Sequence, residues 1–232
     1  MKATSLRRSV VAMWLVVLTA ACAPVVSAPA ATIMPSTPSS SPTAATASGL
    51  GGPSILVSKP AAELVLRPSD IPNSGNMLGT SAQAHSLDSY MTFCCGGNAQ
   101  NKAAWAQQGF ESWFAIDIRS IRREDPRAFD VRSVAVVFSS AAGASYDHQY
   151  ANRAALLDPT VKLLALSAAT GDESAAFLQT PTAGPGLGQE SYIVFFRYRN
   201  VSDRVFISGR VGAVNLANAV ALANTQLARH RP

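Results

Sequence analysis

QESYIVFFRYRNVSDRVFISGR, residues 189–210, carries the clearest structural signal in the chain. Tyr192, Val194, Phe196 and Tyr198 alternate with Ile193, Phe195, Arg197 and Arg199, the two-residue period of a strand. Asn200-Val201-Ser202-Asp203 reads as a turn, and Arg204 to Arg210 returns with Val205 and Ile207 set against Phe206 and Ser208. A β-hairpin is predicted. The side bearing Arg197 and Arg199 should lie nearer solvent, which leaves Phe196 facing a helix layer. Ala213 to Arg229 then reads as that helix, with a stripe of Leu216, Val220, Ala223 and Leu227. Arg229, His230 and Arg231 sit at its negative dipole end.

Working outward, the same signals recur upstream. Phe110 to Ile121 alternates, with Phe114, Ile116 and Ile118 opposite Trp113, Ala115 and Asp117. After a charged loop from Arg122 to Asp130, Val131 to Phe138 is nearly continuous in apolar residues, as in a strand buried on both faces. Ser139 and Ser140 are good caps for a helix from Ala141 to Leu157, with Tyr146, Tyr150 and Leu157 at helical spacing, ended by Asp158-Pro159. Val161 to Leu166 and Ala175 to Gln179 are two further short strands, and Pro181 to Gly188 is a loop. Asn101 to Gln108 reads as a helix holding Trp105, Ala61 to Leu66 as one or two helical turns, and residues 76–100 as irregular. Strand, strand, helix thus occurs twice, without sequence identity between the copies. The fold class predicted is α+β: an antiparallel sheet of about five to six strands with two long helices packed on one face.

The amino terminus supplies an address. In MKATSLRRSVVAMWLVVLTAAC, Lys2, Arg7 and Arg8 head an apolar run from Val10 to Ala21, and no acid occurs before Glu63. These twelve residues span roughly 18 Å, short of a ~30 Å hydrocarbon core, so a permanent transmembrane helix is not expected. Thr19-Ala20-Ala21-Cys22 resembles the bacterial lipoprotein box, with Thr19 where Leu is usual. The resemblance implies a signal peptide over 1–21, a lipid thioether on Cys22 and attachment to the extracytoplasmic face of the cell membrane. From Ala23 to Ser58 no residue is charged and six are proline, a composition that cannot bury enough apolar surface to order itself. Residues 22–58 therefore read as a tether, and 59–232 as a single domain. The net charge of +5 falls to near +2 once the three leader cations are set aside, which gives no footing for nucleic acid.

Few residues suggest catalysis. A nucleophilic site needs a base within reach, and His85, His148 and His230 are the histidines available; they read as surface residues. There is no G-x-S-x-G elbow and no S-x-x-K. The densest acids are Glu124-Asp125, in the arginine-rich loop, and Asp172-Glu173, beside a turn. Gly184-Pro185-Gly186-Leu187-Gly188 lacks the Lys-Ser/Thr of a phosphate loop. Cys94-Cys95 could be a vicinal disulfide, a pair of thiols or soft-metal ligands with Met77, His85 or Met91; an oxidised pair suits an oxidising envelope, and no metal site is expected. Asn200-Val201-Ser202 matches a glycosylation sequon incidentally.

The order of elements after Lys59 resembles the extracytoplasmic sensor domain of mycobacterial receptor Ser/Thr kinases, a domain found also in stand-alone mycobacterial lipoproteins. The matching stretches are LVLRPSDIP (64–72), VAVVFSSAAGASYD, and VFFRYRN with LANAVALANTQLA. The resemblance implies an α+β domain with a cleft and a ligand, and no catalytic residues. That family commonly uses well-separated disulfide pairs, whereas here only Cys94 and Cys95 accompany Cys22. The function expected is therefore a membrane-anchored, non-enzymatic lipoprotein, without cofactor, that binds a small molecule, lipid, cell-wall fragment or protein partner. The rival is a surface-anchored hydrolase using acids such as Asp172 and Glu173.

Overall fold

In a computed structural model, the described residues are 56–72, 76–82, 86–95, 97, 99–122 and 124–231. The 189–210 hairpin lies at the centre. Strands β6 (Gln189–Tyr198) and β7 (Val201–Arg210) pair antiparallel with Tyr198 opposite Val201, so the loop is only Arg199-Asn200. Arg199 takes a left-handed conformation, φ 56°, as a tight two-residue hairpin loop requires. The turn therefore comes earlier than its local chemistry suggests. Val201, Ser202 and Asp203 extend β7 because each finds a ladder partner in β3 (Phe129–Phe138), at Val137, Val136 and Ala135. Tertiary pairing outweighs turn propensity here.

The sheet has seven strands, all antiparallel, where five to six were expected. Its order is β1-β2-β3-β7-β6-β5-β4, with β1 Met77–Ala82, β2 Phe110–Ser120, β4 Val161–Leu164 and β5 Glu173–Gln179. β1 was hidden in the stretch read as irregular, because MLGTSA is neither apolar nor alternating. It forms as an edge strand by ladder pairing, from Met77 opposite Ser120 to Ala82 opposite Ala115, with the Met77 side chain packed on the α5-side core. Gly79 matters there: a Cβ would come 2.9 Å from the ring of Pro68. Helix α2 (Leu87–Cys95) lies in the same stretch and precedes α3 (Ala99–Gln107).

The two long helices, α4 (Ala141–Leu156) and α5 (Leu216–His230), occupy opposite faces, which corrects the expectation of one helical face. The reason is visible in β6 and β7, which carry large apolar side chains on both sides. Val194, Phe196, Val205 and Ile207 pack under Ala219, Leu222, Ala223 and Leu227 of α5. Ile193, Phe195 and Phe177 pack with Ala151 and Ala155 of α4. A short helix, α1 (Ala61–Leu64), joins the α5 side through Ala135, Val137 and Val201, while α2 and α3 join the α4 side around Trp105 and Trp113. Burying both faces needs three layers. The repeated strand–strand–helix order is no internal symmetry: a rotation exchanging antiparallel β3 and β7 would keep both helices on one face.

α4 starts where expected, with the Ser140 hydroxyl accepting the Gly143 N–H at 3.1 Å. Its buried stripe is not the expected one. Small residues, Gly143, Ala144, Ala151 and Ala155, line the inner side with Asp147 and His148. Leu157 is exposed, and Tyr146 and Tyr150 instead meet the Trp105 ring edge-on, with centroids 5.2 and 4.6 Å away.

Candidate functional site

Asp203 and Arg204 are consecutive in β7, so strand geometry sends their side chains to opposite faces, where both are buried. Each is met by a polar group from a helix. On the α5 face, Gln226 donates to Asp203 Oδ1 at 2.7 Å and to the Val134 carbonyl at 3.0 Å, and accepts from the Ser133 hydroxyl at 2.6 Å. Ser133 in turn accepts the Leu66 N–H at 3.0 Å. His230, one turn beyond Gln226, stands 3.0 Å from Asp203 Oδ2 at ion-pair distance. Burial pushes the His230 pKa down, but the Asp203 charge outweighs it and raises it above the ordinary 6.5. Ser, His and Asp thus converge, yet the hydroxyl serves Gln226 and the group is sealed from solvent. This cluster clamps α5 to the sheet.

On the α4 face Arg204 donates to Asp147 at 2.7 Å and to the Tyr90 hydroxyl at 2.6 Å. Asp147 also accepts from the Tyr90 hydroxyl and from the Trp105 indole, the latter at 2.8 Å. Burial disfavours charge on Arg204, and the Asp147 carboxylate reverses that, so the guanidinium stays charged; burial pushes the Tyr90 phenol well above 10. One buried pair with added donors joins α2, α3 and α4 to β7. The sequence reading missed it, taking the histidine next to Asp147 for a surface residue. His148 is in fact buried, with Nε2 3.0 Å from the Asn152 amide and Nδ1 unpartnered among the described residues. Burial lowers its pKa from 6.5. His230 corrects the same expectation, and His85 lies outside the described residues.

Asp172 and Glu173, the acids of the hydrolase reading, both converge on one side chain. Arg197 donates to Glu173 at 2.7 Å and to Asp172 at 3.0 Å, and Ser145 of α4 donates to Glu173 at 2.9 Å. Arg197 is accordingly half-buried as an ion-pair partner, not turned to solvent as its strand face suggested. Burial pushes the Glu173 carboxyl pKa up, but the Arg197 and Ser145 hydrogen bonds outweigh it and hold it below its ordinary 4.5. A general acid needs the opposite shift. Asp172 also accepts the Arg199 N–H at 2.7 Å, so the pair fixes the hairpin tip.

A further group of charged side chains lies at the other end of the sheet. Arg122, Asp125, Arg127 and Ala128 of the β2–β3 loop, with Ser120, Phe129, Asn76, Met77 and Pro72, line a cleft of about 250 Å³. Its floor is apolar, because Met77 and Phe129 continue into the α5-side core. Asp125 accepts the Arg127 N–H at 2.8 Å and so shapes the loop.

The Cys94–Cys95 pair closes α2 as a vicinal disulfide, packed against the cluster around Trp113. Among the described residues no three His, Cys, Asp or Glu are grouped to hold a metal, and no helix is long and apolar enough to cross a membrane. Cys22 lies outside the described residues.

Among solved structures, the chain is similar to the extracellular domain of PknH from Mycobacterium tuberculosis, with 13% identity and a TM-score of 0.50. The match covers 73% of this chain and 94% of that one. The likeness is one of fold. It agrees at that level with the resemblance to extracytoplasmic sensor domains drawn from the sequence. No protein-family model and no curated protein matches.

Proposed function

We propose that the chain is an extracytoplasmic lipoprotein, anchored through Cys22, whose domain binds a ligand without turning it over. The fold likeness to an extracellular domain, spanning 94% of that domain, carries the reading. The chemistry supports it from the other side: the acids of the hydrolase alternative are both spent on Arg197, and the Ser133/His230/Asp203 group is closed to substrate. Ligands in keeping with the envelope are a small molecule, a lipid, a cell-wall fragment or a protein partner.

Two measurements test this. Native mass spectrometry of the protein purified from its own envelope should find retained mass, and a broad hydrolase screen should find no turnover. Turnover that disappears in Glu173→Gln would reinstate the hydrolase. For the anchor, Cys22→Ser should abolish incorporation of labelled fatty acid and release the protein from membranes.

A further inference from the structure

We infer that the cleft beside the β2–β3 loop is the ligand site, and that its ligand is a small phosphate ester with an apolar substituent. This rests on the ligand-binding reading above and deepens it. Most cations of the domain core are committed: Arg197 to Asp172 and Glu173, Arg204 to Asp147, Arg132 to Asp117, Arg229 to Asp70. Arg122 and Arg127 differ. Both line the cleft, both are exposed, and among the described residues neither guanidinium has an ion pair or hydrogen bond. Among the described residues, the charges in the lining are these two arginines against Asp125, so the cleft favours an anion.

The kind of anion follows from the donors. A single guanidinium fork already satisfies both oxygens of a carboxylate, whereas a phosphate offers three peripheral oxygens and up to two charges, enough for two forks. The Ser120 hydroxyl, which accepts the Arg122 N–H at 3.3 Å, still has its own proton to donate. Below the polar rim, Met77 and Phe129 offer apolar surface that a bare anion would leave unused. Size sets the limit: about 250 Å³ falls just under the ~300–1,000 Å³ of drug-sized sites, too small for an oligosaccharide strand.

The test uses the full chain in nonionic detergent, titrated calorimetrically with inorganic phosphate, phenyl phosphate and benzoate, and separately with phosphatidylglycerol vesicles. Phenyl phosphate should bind more tightly than inorganic phosphate or benzoate. Arg122→Gln and Arg127→Gln should each weaken it about tenfold or more, the loss expected for one charge-assisted hydrogen bond. Asp125→Asn keeps the oxygen that accepts the Arg127 N–H but removes the opposing charge, so it should tighten binding. Lys162→Gln, on the opposite edge strand, should change nothing. Binding of vesicles alone, lost in the double arginine variant, would assign the phosphate to a lipid headgroup. Equal binding by wild type and the double variant, or preference for benzoate, would overturn the inference. If native protein carries a retained ligand that the double variant retains equally, the function stands and this site falls.

Discussion

At the scale of single residues, the decisive feature is that β6 and β7 carry functional-looking charges whose roles are set by what lies across from them. Phe196 is fully buried against α5, so Phe196→Ala should cost about 3–5 kcal/mol in urea denaturation. Arg197 holds two half-exposed carboxylates, so Arg197→Ala should cost about 1 kcal/mol, more than a surface arginine and well short of the phenylalanine. Equal losses would place Arg197 deeper in the core than its geometry allows. The two buried histidines predict a pH profile. His148 has a lowered folded pKa, so the unfolded chain takes up its proton first and stability falls as pH drops below 6.5. His230 has a raised folded pKa, so its contribution is complete below 6.5 and is lost as pH rises through that raised value. Stability should therefore peak around pH 6.5, with His148→Gln flattening the acid limb and His230→Gln the alkaline limb. A melting profile whose limbs respond to the opposite variants would refute this assignment.

At the scale of elements, the hairpin tip is a clasp. Asn200 accepts the Val57 N–H at 2.8 Å and donates to the carbonyls of Val57 and Phe138 at 3.2 and 2.8 Å. It is buried, so the sequon it begins offers no amide for a glycan in the folded state. Asn200→Ala strands those buried backbone groups, and a loss of about 1–3 kcal/mol is expected. Hydrogen exchange at the Val57 amide should accelerate even where global stability survives; unchanged exchange would mean that the clasp does not hold the segment. The same end of the domain is tied a second time: Lys59, two residues on, donates to the Arg229 carbonyl at 2.7 Å, at the negative end of α5. Arg229, which the sequence assigns to that dipole, reaches Asp70 instead, at 3.0 Å.

At the scale of the whole molecule, the question is where the folded unit begins. Val57, which the sequence assigns to the end of the tether, is buried with Ala135, Val137 and Val201. Removing residues 22–54 should leave the melting temperature unchanged, since that composition has nothing to bury. Removing 22–58 deletes the Val57 side chain and its two backbone bonds to Asn200, roughly 2–4 kcal/mol. For a domain of this size that corresponds to a fall of about 5–10 °C. Identical melting curves for the two truncations would show that the segment adds nothing to the domain.

Local sequence determined the elements whose period is strong. The faces of β2, β6 and β7 follow their alternation, β3 is buried on both sides as its apolar run implies, and the Ser140 cap of α4 is written into the chain. It could not place β1, because an edge strand of Gly, Thr and Ser has no hydrophobic period and is held by its neighbour's backbone. Nor could it place the helices on opposite faces, since period 2 divides a strand into two sides without saying what covers each. The polar sites lay furthest from reach. Arg204 meets Asp147 across 57 residues, Arg197 meets Glu173 across 24, and the cleft joins Pro72, Asn76 and Met77 to Arg122, Asp125 and Arg127. Charges look solvated in sequence; only the packed layers, by removing water, decide which must pair and which remain free to bind.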